Sequence, residues 1–304
     1  MTEVAVVNKK NKILSQKSKL GILFFLPFFI LFFIFTVLPV LSSVVLSLTN
    51  YNMFQGAKFV GISNYRLLIM EDDIFLTALK NTFVFALFAG PIGFILSFIF
   101  AWIIDNLKFR KMFALVFYAP SLTSGIAMSV IWMYFFSSDK YGFINNILLN
   151  AGLIDQPVYW TTDPKTIMTV IVVISVWMSM GTGFLVFLAG FQNLSGEVLE
   201  ASEIDGVPNK LYQLVYIIVP MMKQQLLFGS ITAIVSSFGV YDIAVAVAGM
   251  PSPEYAGHTI VAHLYDYAFI RLQMGYSSAI AVFLFALTFV LGRICFVIFK
   301  SDGE

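Results

Sequence analysis

Residues 166–191 read TIMTVIVVISVWMSMGTGFLVFLAGF and run directly into residues 192–220, QNLSGEVLEASEIDGVPNKLYQLVYIIVP. The first part carries no charge and exceeds the roughly 20 helical residues needed to cross the hydrocarbon core of a bilayer. The second part changes character at once. It holds Glu197, Glu200, Glu203 and Asp205, then Gly206 and Pro208, then a second apolar run. A charge-free span followed by a long acidic connector predicts an all-α, polytopic membrane protein.

Five further stretches have the same span character: Leu20–Leu48, Thr82–Ile104, Met112–Phe136, Met222–Gly249 and Tyr276–Phe299. With Thr166–Phe191 they make six expected transmembrane helices. Alternating polar and apolar residues, the mark of membrane barrel strands, are absent. Composition agrees, since 59% of the 304 residues are hydrophobic and 12% are charged, about half the charged share of soluble domains. The net charge of +1 and the lack of basic arms with interleaved aromatics argue against nucleic acid as a partner. Membrane lipids are the expected surroundings. A lone cysteine, Cys295, excludes internal disulfides. His258 and His263 lie in one short stretch without cysteines or carboxylates at ligand spacing, and read as ordinary polar loop residues with no metal site.

Orientation follows from Lys and Arg. With the amino terminus inside, inner segments hold twelve (Lys9, Lys10, Lys12, Lys17, Lys19, Lys108, Arg110, Lys111, Lys210, Lys223, Arg293, Lys300) and outer segments six (Lys58, Arg66, Lys80, Lys140, Lys165, Arg271). Both termini are therefore expected in the cytoplasm. The expected division is a tail at 1–19, a membrane domain at 20–300 and a second tail at 301–304. The apolar run after the tail is too long for a secretory signal and reads as an uncleaved first helix.

In the connector, Ser195 stands at an N-cap position with Glu197 in the first turn. The helix should run to about Asp205. Gly206 supplies the left-handed residue that ends helices, and Pro208 sits near the start of the next. Val198, Leu199 and Ile204 give the short helix an apolar component. Such a helix can dock in a partner's groove with its charges at the rim, or rest on the membrane surface. The acidic charge weighs against the surface, because inner-leaflet lipids are anionic.

Glu200–Gly206, E-A-S-E-I-D-G, followed by Pro220, resembles the E-A-A-x-x-D-G signature of binding-protein-dependent ABC importer permeases, with Ser202 where Ala is commoner. Other stretches resemble the sugar-permease branch of that family: V-G-I-S-N-Y at Val60–Tyr65, L-K-N-T at Leu79–Thr82, Ala119–Pro120, V-W-M-S-M-G at Val176–Gly181 and M-G-Y-S-S-A-I-A at Met274–Ala281. Where such permeases often carry T-G-G-G-P, this chain has A-G-M-P-S-P at Ala248–Pro253. The resemblance implies the transmembrane-domain fold of type I importers in a bacterial inner membrane, with sugar or oligosaccharide as substrate. It implies a second permease as heterodimer partner, two copies of a cytoplasmic ATPase and an external solute-binding protein. It also implies that Glu200, Ala201, Ser202, Asp205 and Gly206 couple the permease to the ATPase. The chain has no G-x-x-x-x-G-K-[ST] motif, so ATP and magnesium are expected on the partner, no cofactor on this chain, and no catalysis by it.

Substrate-pathway candidates come from helical spacing. Gly229, Ala233, Ser236, Ser237 and Val240 share one face of the fifth span, which either lines a cavity or forms a small-residue packing seam. Ser175, Trp177, Ser179 and Thr182 are candidates in the fourth span. Trp177 either stacks on a sugar or wedges between helices. Tyr241 and Asp242 are expected at the outer mouth of such a cavity. Outer-loop aromatics (Tyr51, Phe54, Tyr65, Tyr141, Tyr159, Trp160) either meet a binding protein or anchor the interface. An ABC permease for a non-sugar solute is the nearest alternative. A secondary transporter would more often show repeats and intramembrane charge, and an intramembrane enzyme would need catalytic groups that the spans lack.

Overall fold

The computed structural model describes residues 21–299. The tails expected at 1–19 and 301–304 lie outside the described residues. Described residues form helices and two isolated bridges, without a sheet.

The chain starts with α1 (Gly21–Leu46), whose π turn at Phe33–Val37 precedes Pro39. A proline has no amide to donate and crowds the preceding turn, so the local register loosens there. After α2 (Ser63–Met70) comes α3 (Asp73–Asp105). It begins well before the expected Thr82, because the Asp72 side chain accepts from the Phe75 amide at 2.8 Å and caps it. The expected single span Met112–Phe136 is two helices, α4 (Arg110–Leu122) and α5 (Gly125–Phe135). They are bent by 98° where Pro120 is followed by extended Thr123 and Ser124.

A short α6 (Phe143–Asn150) leads to α7 (Pro164–Met178) and α8 (Thr182–Gln192). The acidic helix is α9 (Gly196–Ile204), and α10 (Lys210–Met221) carries the chain back to the bundle. The fifth span is α11 (Lys223–Phe238) and α12 (Asp242–Ala248). Beyond it lie α13 (Ile260–Ile270) and α14 (Met274–Phe299). Among the described residues five helical stretches are long and apolar enough to cross a membrane, and six when the bent pair counts as one.

Three apolar clusters are stacked along the bundle. Beside α9 and α10 sit Phe98, Ile104, Phe184, Phe191, Leu214 and Met222. Phe85, Ile167, Ile171, Ile174, Val240 and Val247 form the next layer. At the end farthest from α9 lie Leu68, Phe75, Ile260, Tyr276 and Ile280. Small residues allow close helix approach: a Cβ on Gly229 would fall 2.5 Å from the Phe187 ring, and one on Gly190 would fall 2.6 Å from Met222.

The far end is stapled by side chains that the sequence motifs supply. Asn64 donates to the Ser47 and Thr49 carbonyls, both at 2.8 Å, and Tyr65 donates to Ser47 Oγ at 2.7 Å. Asn81 donates to the Tyr255 and His258 carbonyls, and Thr82 accepts from the Ile260 amide at 2.9 Å. The Gly275 amide donates to the Tyr51 carbonyl at 2.8 Å. The two histidines are not ordinary loop residues. His258 and His263 are buried, their rings 3.3 Å apart at Nε2 and Nδ1. His263 Nε2 lies 3.0 Å from Asp72 Oδ2, which also accepts from Tyr276 at 2.6 Å. Burial opposes ionisation of Asp72, but the bonds from His263, Tyr276 and the Phe75 amide outweigh it and hold the carboxyl well below its usual range.

Candidate functional site: a membrane cavity and an acidic helix

Three spans lose helical geometry midway: at Thr123–Ser124, between Met178 and Thr182, and between Phe238 and Asp242. Gly181 and Gly239 lie in two of these breaks, and Gly125 follows the third directly. All three breaks open on one cavity of about 450 Å³, bounded by α3, the start of α5, α7, α8, α11 and α12. Non-helical backbone inside a membrane is tolerated where it lines such a space, because its freed polar groups can be met there.

Of the residues singled out in the fourth and fifth spans, Ser175, Ser179, Thr182, Gly229, Ala233, Ser236, Ser237, Val240 and Tyr241 line this cavity. Trp177 does not; its ring stands edge-on to Trp132 at 5.3 Å and is partly exposed. The cavity face and the packing seam prove to be one surface with two uses. Ser236 is exposed, while Ser237 is buried with Oγ 2.9 Å from where a Cβ on Gly90 would lie. Similarly, a Cβ on Gly93 would come 2.5 Å from Ser179 Oγ. Asp242, expected at an outer mouth, is part of the lining.

Sequence reading missed the α3 wall, namely Phe85, Gly90, Gly93, Phe94 and Ser97, and also Phe187 and Thr232. The usable signal was Gly90, Gly93 and Ser97 at offsets of three and seven, which share a helix face. Ser179 and Thr232 donate to the carbonyls of Val176 (2.7 Å) and Phe228 (2.9 Å) in their own helices. Their lone pairs remain able to accept from a ligand.

The acidic helix ends in a Schellman turn. The Gly206 amide donates to the Glu203 carbonyl at 3.2 Å and the Val207 amide to the Ser202 carbonyl at 3.2 Å, with Gly206 at φ +89°. Ser195 occupies the N-cap, although its side chain makes no capping bond. Asn209 caps the next helix by accepting from the Tyr212 amide at 2.8 Å. Glu200, Ala201, Asp205 and Gly206 are exposed, and Ile204 is 86% exposed. Ser202 faces inward instead. Its hydroxyl donates to the Leu199 carbonyl (2.6 Å) and accepts from Gln213 of α10 (2.8 Å).

No group of three or more metal-ligating side chains occurs among the described residues. The chain is 30% identical over 298 residues to the probable ABC transporter permease protein YesP of Bacillus subtilis, covering 97% of this chain and 94% of that protein. It is 31% identical over 266 residues to the lactose transport system permease protein LacF of Rhizobium radiobacter, covering 86% and 87% respectively. A solved bacterial ABC transporter involved in the import of the acidic polysaccharide alginate superposes with a TM-score of 0.77 at 18% identity, over 95% of this chain and 98% of that one. That likeness establishes the fold, the transmembrane domain of an ABC importer. Residues 74–300 match the family described as binding-protein-dependent transport system inner membrane component, and the chain belongs to that family.

Proposed function

We propose that this chain is the non-catalytic permease subunit of an ATP-driven importer that takes up sugar or oligosaccharide delivered by an external solute-binding protein. The observation that carries the reading is the placement of Glu200–Gly206. This segment is an exposed helix end at one pole of the bundle, with the stapled loops at the other pole and the cavity between. Sugar as cargo is supported by the relatives named for lactose and for arabinooligosaccharides and by the hydroxyl-lined cavity.

The positive-inside count of Lys and Arg along the sequence supports a cytoplasmic α9 pole, with both termini on that side. There α9 sits in a groove of a partner ATPase, which holds ATP and magnesium. A second permease completes the pathway, and the stapled pole receives the binding protein. ATP-driven closure of the ATPase pair moves α9. Because α9 is bonded to α10 through Ser202 and Gln213, and α10 leads into α11, the motion reaches the cavity wall.

The test is labelling from each side of the membrane. With Cys295→Ser as background, Glu203→Cys should react with an impermeant maleimide in inverted vesicles only, and be shielded when the ATPase is bound. The affinity-purified complex should contain an ATPase and a second six-span chain. Labelling of Glu203→Cys from outside, or uptake by a complex without ATPase, overturns the reading.

A further inference from the structure

Asp242 is the only carboxylate in the cavity lining, which contains no Lys, Arg or His. Among the described residues it takes part in none of the ion pairs, and its side chain is exposed. The remaining lining is uncharged: serine and threonine hydroxyls, the Tyr241 phenol, glycine backbone, phenyl rings and aliphatic side chains with Met178. These surfaces suit a polyhydroxylated ligand: hydroxyls that keep lone pairs, and apolar rings for the carbon faces of a sugar. None of them carries a positive charge.

Asp242 is exposed in the cavity, and like charges brought together at a recognition surface are disfavoured even where water and salt screen part of the repulsion. The fold itself does not set the sign, since a solved importer with this fold is described as moving the acidic polysaccharide alginate. We propose that Asp242 is a specificity-determining residue that selects cargo by charge: the cavity admits uncharged and amino-bearing saccharides and rejects saccharides that carry uronate carboxylates. This rests on the function proposed above and adds to it the charge class of the cargo.

The test uses the purified permease complex, without binding protein, and three trisaccharides of similar size: maltotriose, trigalacturonate and triglucosamine. Equilibrium binding should rank trigalacturonate at least about tenfold below maltotriose, equivalent to about 1.4 kcal/mol. Asp242→Asn should narrow that ratio to within about threefold, Asp242→Lys should place trigalacturonate above triglucosamine, and Asp242→Glu should restore the original order. Monodisperse elution of each variant with its partners separates selectivity from misfolding. Equal binding of trigalacturonate and maltotriose by the unaltered complex, or an unchanged ratio in both Asn and Lys variants, overturns the proposal while leaving the sugar reading standing. Failure to bind any of the three overturns the sugar reading and the proposal together.

Discussion

The Ser202 hydroxyl has a partner in Gln213 of α10. Ser202→Ala would leave one N–H of the buried Gln213 amide without its acceptor while the Leu199 carbonyl stays in reach, a local cost of about 1 kcal/mol. The expected readings are a lower melting temperature of the purified complex and reduced uptake per ATP hydrolysed. A Ser202→Ala, Gln213→Leu pair should recover part of both. Gly206 makes a sharper test. No atom lies within 4 Å of a Cβ built there, so inside this chain Ala and Trp cost the same roughly 1–2 kcal/mol of left-handed backbone strain. If uptake per ATP falls much further in Gly206→Trp than in Gly206→Ala, a partner surface faces the turn. Equal losses would show that nothing docks there.

Among the elements, the clasp joining Asp72, α13 and the start of α14 predicts a pH dependence. Burial, and then the neighbouring His263, push the His258 imidazole down to about 4 from 6.5. Between those values the unfolded chain holds more protons than the folded one, so stability rises with pH and falls on acidification. The gap between those two values bounds the effect at about 3 kcal/mol. The depressed Asp72 adds a further loss only below its ordinary value of 3.8. Thermal melts of the complex should therefore drop from pH 6.5 toward 4, and His258→Asn should flatten that slope while Asp72 still titrates below it.

The same elements show what the sequence could and could not disclose. Spans were legible because length and lack of charge leave a segment nowhere but the bilayer. The Gly206 turn was legible because one residue type tolerates that backbone. The breaks near Gly181 and Gly239 were not, since a helix absorbs a single glycine and its sequence alone does not mark where it stops. The histidine clasp was hidden by distance, with His263 lying 191 residues from Asp72. Motifs quoted as family marks turn out to have structural work at the far pole. Asn64, Tyr65, Asn81, Thr82 and Gly275 each hold one chain segment to another.

For the whole molecule, the cavity depends on two helix walls meeting through Gly93 and Ser179. Gly93→Val would force α3 away from the α7–α8 break, since even one added carbon crowds Ser179. Uptake should fall at least about tenfold, while the complex still purifies with its ATPase because α9 lies in a separate layer. Retained uptake would mean that cargo takes a route other than this space. The site was half visible in advance: the fifth-span face was found from spacing, whereas the α3 wall needed tertiary structure to show which of its glycines faced inward.

The long phenylalanine-rich α1 finds its main partner in α14, and the Gly275–Tyr51 bond closes the same seam. α1 leaves the ribosome about 230 residues ahead of α14. Translation must therefore pass residue 274 before that seam can close. Nascent chains stopped short of that residue would leave Leu38–Leu46 without its partner helix and should be cleared faster by quality-control proteases.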